Sequence, residues 1–122
     1  MDNAKKPCLN ASFLIVFSKE TDIEAVQSLL PAGSSVAYNP NEICVTITEV
    51  KECYDWEIDS VLTELFARCD LSHLKGIAEK FSGQIHIALW YYHYETQPAI
   101  IFEGENMQII RQLNADLSID PY

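Results

Sequence analysis

The sequence is organised around the segment Ala11-Ser12-Phe13-Leu14-Ile15-Val16-Phe17. It is nearly all apolar and rich in β-branched and aromatic residues, a composition typical of a strand that is buried on both faces. We therefore expect this segment to be a central strand of a sheet. It is far too short to cross a bilayer as a helix, which takes about 20 apolar residues.

Hydrophobic periodicity predicts the remaining strands and helices. Alternation of polar and apolar residues predicts strands at 35–38, 43–51, 54–58, 84–95, 98–102 and 115–122. Helical spacing predicts helices at 21–30, 60–69, 71–81 and 105–113. The predicted start signals are a Thr21–Glu24 capping box and a cap at Asp59 or Ser60, and the predicted closing residues are Gly83 and Asn114.

This order of elements indicates an α+β protein with one domain over residues 11–122, preceded by a flexible segment at 1–10. A single mixed sheet of six to seven strands, with three to four helices mainly on one face, is the simplest way to bury the pattern. Such an arrangement resembles a ferredoxin-like sandwich with additions.

The charge balance limits the kind of partner. The 122 residues carry a formal net charge of −10, from 18 acidic and 8 basic side chains. Nucleic acids and anionic membranes select basic surfaces, so we expect neither as a partner. The charge fits a basic protein partner, and the alternative is that the excess carboxylates serve solubility alone.

The cysteines and the N-terminus indicate a cytoplasmic protein. Cys8, Cys44, Cys53 and Cys69 include no Cys-x-x-Cys pair, so a zinc signature is absent. The segment at 1–7 has no long apolar run before a cleavage site, and we expect no secretory signal. In a reducing compartment the four thiols are expected to stay reduced and to pack as small hydrophobic side chains.

Sequence motifs for catalysis or cofactor binding are missing. The four glycines are scattered and form no phosphate-binding loop, and there is no Gly-x-Ser-x-Gly or His-Glu-x-x-His motif. His86 and His93 lie seven residues apart on one predicted strand, so they point to opposite faces and cannot share a metal ion there. We expect a protein that is not an enzyme and that uses no cofactor and no metal.

Trp90-Tyr91-Tyr92-His93-Tyr94 is the most unusual segment. If helices cover the face of Ile85, Ile87 and Leu89, then the other face of this strand carries a ridge of three aromatic side chains, Trp90, Tyr92 and Tyr94. Exposed aromatic patches mark partner surfaces or ligand grooves. The alternative is that a loop or hairpin covers the ridge as ordinary core.

Acidic residues are concentrated in the middle of the chain, where Lys51 is the one basic residue between 42 and 64. Such a concentration can steer a basic partner, although hydrated carboxylates on the outer face of a strand are the alternative. A further acidic edge lies at Asp116 and Asp120. The candidate partner-binding residues from this region, with Trp56 as an aromatic anchor, are Glu49, Glu52, Asp55, Trp56, Glu57 and Asp59.

Two features carry a family resemblance that spans nearly the whole chain. They are Trp56 within the predicted strand at 54–58 and the closing residues Ile119-Asp120-Pro121-Tyr122. In these the chain resembles a family of small uncharacterised bacterial proteins with a mid-chain strand tryptophan and a terminal Ile-Asp-x-Tyr. Small acidic proteins of this kind are often encoded beside toxins, so the resemblance implies an immunity-type inhibitor and no catalytic residues.

The function expected from the sequence is therefore that of a cytoplasmic binding protein, an immunity protein that neutralises a basic toxin domain by occlusion. Acidic residues would steer the encounter, and Trp56 or the aromatic ridge would anchor the complex. Two alternatives stay open. One is a homodimeric accessory or structural module, and the other is a small-molecule-binding domain or enzyme with a pocket between sheet and helices.

Overall fold

The computed structural model describes residues 8–53, 57–92 and 104–121, apart from the side chains at 52 and 53. Its strands are β1 (Cys8–Ser18), β2 (Ser35–Tyr38), β3 (Glu42–Cys53), β4 (Gln84–Tyr92) and β5 (Asp116–Pro121). Its helices are α1 (Ile23–Gln27), α2 (Ile58–Ala67), α3 (Leu71–Lys80) and α4 (Gly104–Gln112). In this described part, no helix is long and apolar enough to span a membrane.

The strands form one mixed sheet in the order β2-β3-β1-β4-β5. The apolar segment at 11–17 lies in β1, which occupies the centre and pairs antiparallel with β3 and with β4. The β2–β3 pair is antiparallel too, whereas β4 and β5 are parallel. Parallel neighbours cannot be joined by a tight hairpin, and α4 lies between β4 and β5 in the chain.

The core lies against one face of the sheet. Alternate residues of β1, including Phe13 and Ile15, are fully buried there, and Ile87 and Leu89 of β4 share that face. The helices supply the other half of the core with side chains such as Leu65 of α2. The protein is thus an α+β fold with a single mixed sheet, as predicted.

The structure differs in detail from the predicted number of strands and from the predicted ferredoxin-like sandwich. The sheet has five strands in the described residues instead of six to seven, and the ferredoxin-like arrangement is not matched exactly, because α2 and α3 are consecutive and β5 is parallel. The predicted strand at 98–102 lies outside the described residues. At the end of the predicted strand at 54–58, Ile58 is instead the first residue of α2.

Helix boundaries differ from the sequence predictions by up to three residues, the largest difference being at the end of α1. Asp22, not Thr21, is the N-cap of α1, and its side chain accepts a hydrogen bond from the backbone N–H of Ala25. The cap predicted at Asp59 or Ser60 is wrong, because α2 begins at Ile58 after an extended Glu57. Closure of α4 by Asn114 is confirmed by its φ of 51°.

Gly83 was predicted to close α3 in a left-handed conformation, but Ser82 takes that conformation, with a φ of 55°. Gly83 is instead required by packing. A Cβ at Gly83 would lie 2.6 Å from Cε1 of Phe17 and 2.8 Å from Cγ2 of Ile15. Both neighbours are fixed in the core, so they cannot move away without cost.

Gly83→Ala is expected to lower the free energy of unfolding by about 1–3 kcal/mol, as overpacking of a core does. Gly76→Ala is the matched control, since a Cβ there meets no atom within 4 Å. Gly76 lies inside α3, so alanine should raise stability there by about 0.5–1 kcal/mol. Urea unfolding of both variants checks this, and equal midpoints would contradict the packing role of Gly83.

Candidate protein-binding surface

The face of the sheet opposite the core carries side chains from all five strands. We call it the open face, and its central members are Asn10, Ser12 and Leu14 of β1 with Ala88, Trp90 and Tyr92 of β4. Ala88 is buried but does not belong to the helix-side core, which agrees with its position on this side. Asn10 pairs with Trp90 and Ser12 pairs with Ala88, so the two strands place these residues side by side.

A groove with a volume of about 370 Å³ lies on the open face. Ser12 pairs with Ala88 on one side and with Glu49 of β3 on the other, so two small side chains lie between larger neighbours. Trp90 and Tyr92 line one side of the groove, and Thr46 and Glu49 line another. The groove is at the small end of the volumes at which ligand sites are found, about 300–1,000 Å³.

The aromatic ridge lies on the face predicted for it. Trp90 and Tyr92 are half-buried on the open face, while their chain neighbour Leu89 is fully buried on the core side. Asn10 Nδ2 donates a hydrogen bond to the Tyr92 hydroxyl at 3.3 Å, which orients the tyrosine ring beside the groove. Tyr94, the third predicted member, lies outside the described residues.

Carboxylates flank these aromatic residues. Glu49 lines the groove, and its Oε2 lies 3.2 Å from Nζ of Lys51, an exposed ion pair of small energy. The backbone at Glu49 is held by Arg68, whose Nη1 donates to the Glu49 carbonyl oxygen at 2.8 Å. Asp116 and Asp120 of β5 are exposed and pair with His86 and Trp90, so they add negative charge to the same face.

Of the acidic residues predicted as one recognition cluster, the structure describes the side chains of Glu49, Glu57 and Asp59. Glu49 is half-exposed in β3, and Glu57 is exposed immediately before α2. Asp59 is only 8% exposed, and its Oδ1 accepts a hydrogen bond from Asn106 Nδ2 at 2.9 Å. This contact assigns Asp59 to the packing of α2 against α4. Asp55, Trp56 and the side chain of Glu52 lie outside the described residues.

One polar pair on the open face was missed by sequence reasoning. His86 Nε2 lies 3.0 Å from Ser118 Oγ, across the parallel pairing of β4 and β5. A serine nucleophile also needs a third group that orients the histidine. Within 8–53, 57–92 and 104–121, no carboxylate hydrogen-bonds the second ring nitrogen of His86. The pair is thus a polar cross-strand contact. The only sequence feature that pointed to it was that both residues were predicted on the outer face of their strands.

The thiols are poorly suited to nucleophilic chemistry. Burial raises the pKa of Cys69 to about 11, and its Sγ donates to the Leu65 carbonyl oxygen at 3.4 Å. Burial also raises the pKa of Cys44, with a further contribution from the charge of Glu42 and from its hydrogen bond. Because the thiolate is the reactive form, a raised pKa lowers the reactivity of both side chains at neutral pH. Cys8, Cys44 and Cys69 are present as thiols, not disulfides.

No three histidine, cysteine, aspartate or glutamate side chains in the described part of the chain are grouped so that they could hold a metal ion. Comparison of the whole chain with protein-family models finds no match, and comparison with curated proteins finds none either. The functional interpretation therefore depends on the residues of the open face.

Proposed function

We propose that this chain is a non-enzymatic binding protein, an immunity protein that neutralises a basic toxin domain in the cytoplasm by occluding it. One observation carries the proposal. Among the described residues, the core cluster lies on one face of the sheet, and on the opposite face half-buried aromatic side chains lie beside carboxylates. Such a surface combines the two contributions that a tight protein complex needs, an apolar anchor and a complementary charge.

The aromatic contribution comes from Trp90 and Tyr92. Tryptophan and tyrosine are enriched among the residues that dominate binding energy, because they bury a large area and lose little conformational freedom. Here the backbone of both residues is fixed by pairing with β1, and Asn10 orients Tyr92. Little ordering is left to be done on binding, which favours affinity.

The electrostatic contribution comes from Glu49, Asp116 and Asp120 on the open face, within a chain of net charge −10. Negative potential raises the rate at which a basic protein arrives and lowers that of an acidic one. The family resemblance at Trp56 and at the closing Ile119-Asp120-Pro121-Tyr122 supports a toxin domain as that basic protein.

For the fold itself, we propose a ferredoxin-like sandwich with additions. In support, the four strands β2-β3-β1-β4 are antiparallel neighbours, and α1 separates β1 from β2 as α2 and α3 separate β3 from β4. The additions are α4 and β5. Because β5 extends the sheet beside β4, it widens the open face next to Trp90.

Trp90→Ala is expected to raise the dissociation rate of the complex by roughly tenfold or more, since a desolvated aromatic anchor acts on dissociation. The measurement is surface-immobilised kinetics against the product of the gene adjacent to that of this protein, over a series of salt concentrations. The increase should be nearly independent of salt. Tyr38→Ala is the matched control, because Tyr38 is 68% exposed on the edge strand β2.

Absence of any binding to that product would count against the toxin-immunity function. Binding with the same dissociation rate for the Trp90 and Tyr38 variants would place the anchor elsewhere.

A homodimeric module is the second candidate function. Apolar surface beside β5 favours it. Met107 of α4 is 46% exposed, and with Ile110, Arg111 and Leu117 it lines a mostly apolar cleft of about 170 Å³ beside β5, the outermost strand of the sheet within the described residues. Apolar surface next to an edge strand is a common site of self-association. Sedimentation velocity distinguishes the two candidates, since a concentration-dependent dimer without a partner supports the module.

A further inference from the structure

We propose that the groove on the open face binds an arginine side chain of the basic partner, between Trp90 and Glu49 with Ser12 beneath. This inference deepens the proposed function and rests on it. It names the chemical group that the partner presents to the surface.

Ser12 is the first observation that points to a ligand. The residue is only 6% exposed, and it lines the groove in the middle of the sheet. Its hydroxyl makes no side-chain hydrogen bond with any residue that the structure describes. No fully buried side-chain oxygen in the described residues lacks a hydrogen-bond partner, so the Ser12 hydroxyl is open to the groove, where a donor on a ligand can replace water as its partner.

The side chains around Ser12 define the class of ligand. Glu49 supplies a carboxylate, and Trp90 and Tyr92 supply aromatic rings on the other side of the groove. A cation over an aromatic ring is attracted by the ring quadrupole, and a carboxylate adds a charge-assisted hydrogen bond. Both features together select a cationic side chain.

Arginine fits this combination better than lysine. Its guanidinium is planar, stacks on aromatic faces and presents five N–H donors in a fixed fork. It can therefore stack on Trp90 while it donates to the Glu49 carboxylate and to the Ser12 hydroxyl. A lysine ammonium is a compact and strongly hydrated charge, and it cannot stack in this way.

Lys51 provides a second test of the groove, because removing its charge should have the opposite effect to removing the charge of Glu49. Its ammonium lies 3.2 Å from the Glu49 carboxylate, so in the unbound protein it competes with an incoming cation. The side chain of Lys51 is 70% exposed, and such an ion pair is weak enough to be displaced. Removing the charge of Lys51 should strengthen binding, whereas removing the charge of Glu49 should weaken it.

The test is an NMR titration of the full chain with three capped tripeptides, Gly-Arg-Gly, Gly-Lys-Gly and Gly-citrulline-Gly. Citrulline has nearly the shape of arginine without its charge. The arginine peptide should shift the Trp90 indole N–H and the Ser12 amide and leave the Gly76 amide unchanged. Its affinity should exceed that of the citrulline peptide by roughly tenfold or more and that of the lysine peptide by about threefold.

Three single variants test how Glu49, Lys51 and Ser12 contribute to arginine binding. Glu49→Gln should weaken arginine binding by roughly fivefold or more, and Lys51→Gln should strengthen it by about two- to threefold. Ser12→Val should abolish binding by filling the groove, and an unchanged circular dichroism spectrum verifies that the variant is folded. Equal binding of arginine and citrulline, or shifts that lie away from the groove, would overturn the proposal.

The two proposals fail in different ways. If a basic partner protein binds the natural chain and the Ser12→Val variant with equal dissociation rates, the groove assignment is wrong and the immunity function stands. If the arginine peptide binds in the groove but the product of the adjacent gene does not bind, the groove assignment stands and the immunity function is wrong.

Discussion

Asn106→Asp is expected to lower the free energy of unfolding by about 3–5 kcal/mol at pH 7, the range found when a buried charge loses its partner. Asn106 is 4% exposed and Asp59 is 8% exposed. Asn106 Nδ2 lies 2.9 Å from Asp59 Oδ1, 3.1 Å from the Asp59 carbonyl oxygen and 2.9 Å from Thr63 Oγ1. An aspartate there removes the donor and places a second carboxylate against the first in a site shielded from water.

The double variant Asp59→Asn with Asn106→Asp is the control. It restores one amide and one carboxylate at the same two positions, so it should recover a large part of the lost stability. Urea unfolding of the two single variants and the double variant gives the coupling free energy. A double variant no more stable than Asn106→Asp alone would mean that the amide–carboxylate contact does not hold α4 against α2.

Leu65→Ala is expected to cost about 2–5 kcal/mol, and Ile87→Ala should fall in the same range. Both side chains are fully buried, Leu65 in the helix layer and Ile87 in the sheet. Truncation removes apolar contacts from both layers and leaves a cavity that a packed core cannot close.

Glu57→Gln serves as the comparison, because Glu57 is exposed and adjoins the same helix. It should cost less than about 0.5 kcal/mol. Chemical denaturation of the three variants under identical conditions provides the measurement. A loss for Glu57→Gln as large as that for Leu65→Ala would contradict the burial pattern described for α2.

The faces of strands could be predicted from the sequence because side chains alternate strictly along an extended backbone. This rule placed Ile87 on the core face of β4 and Trp90 and Tyr92 on the opposite face. The ends of helices were harder to predict from the sequence. Glu57 precedes α2 without a side-chain cap, so no local signal marked the start, and Asp59 resembled a cap although it is a buried hydrogen-bonding residue of the helix.

The groove could not be predicted, because it depends on register between distant segments. Ser12 meets Glu49 only through a β1–β3 pairing that contains an irregularity between Phe13 and Leu14. A shift of one residue there would turn Glu49 away from Ser12. The His86–Ser118 contact depends in the same way on the parallel register of β4 and β5, which parity along each strand does not determine.

We propose that the open face, not the net charge of the chain, recognises a basic partner. Two triple variants remove equal charge from the two sides of the sheet. On the open face the changes are Glu49→Gln, Asp116→Asn and Asp120→Asn, and on the helix side they are Glu24→Gln, Glu79→Gln and Glu105→Gln, all at exposed or half-exposed positions.

The most direct measurement is the association rate of each triple variant with the product of the adjacent gene, at low ionic strength and in about 0.5 M salt. The open-face triple should associate roughly tenfold or more slowly at low ionic strength, and the helix-side triple should change much less. The difference should vanish in high salt, where the Debye length is only a few ångströms. Equal slowing by both triples, or no dependence on salt, would contradict recognition through the open face.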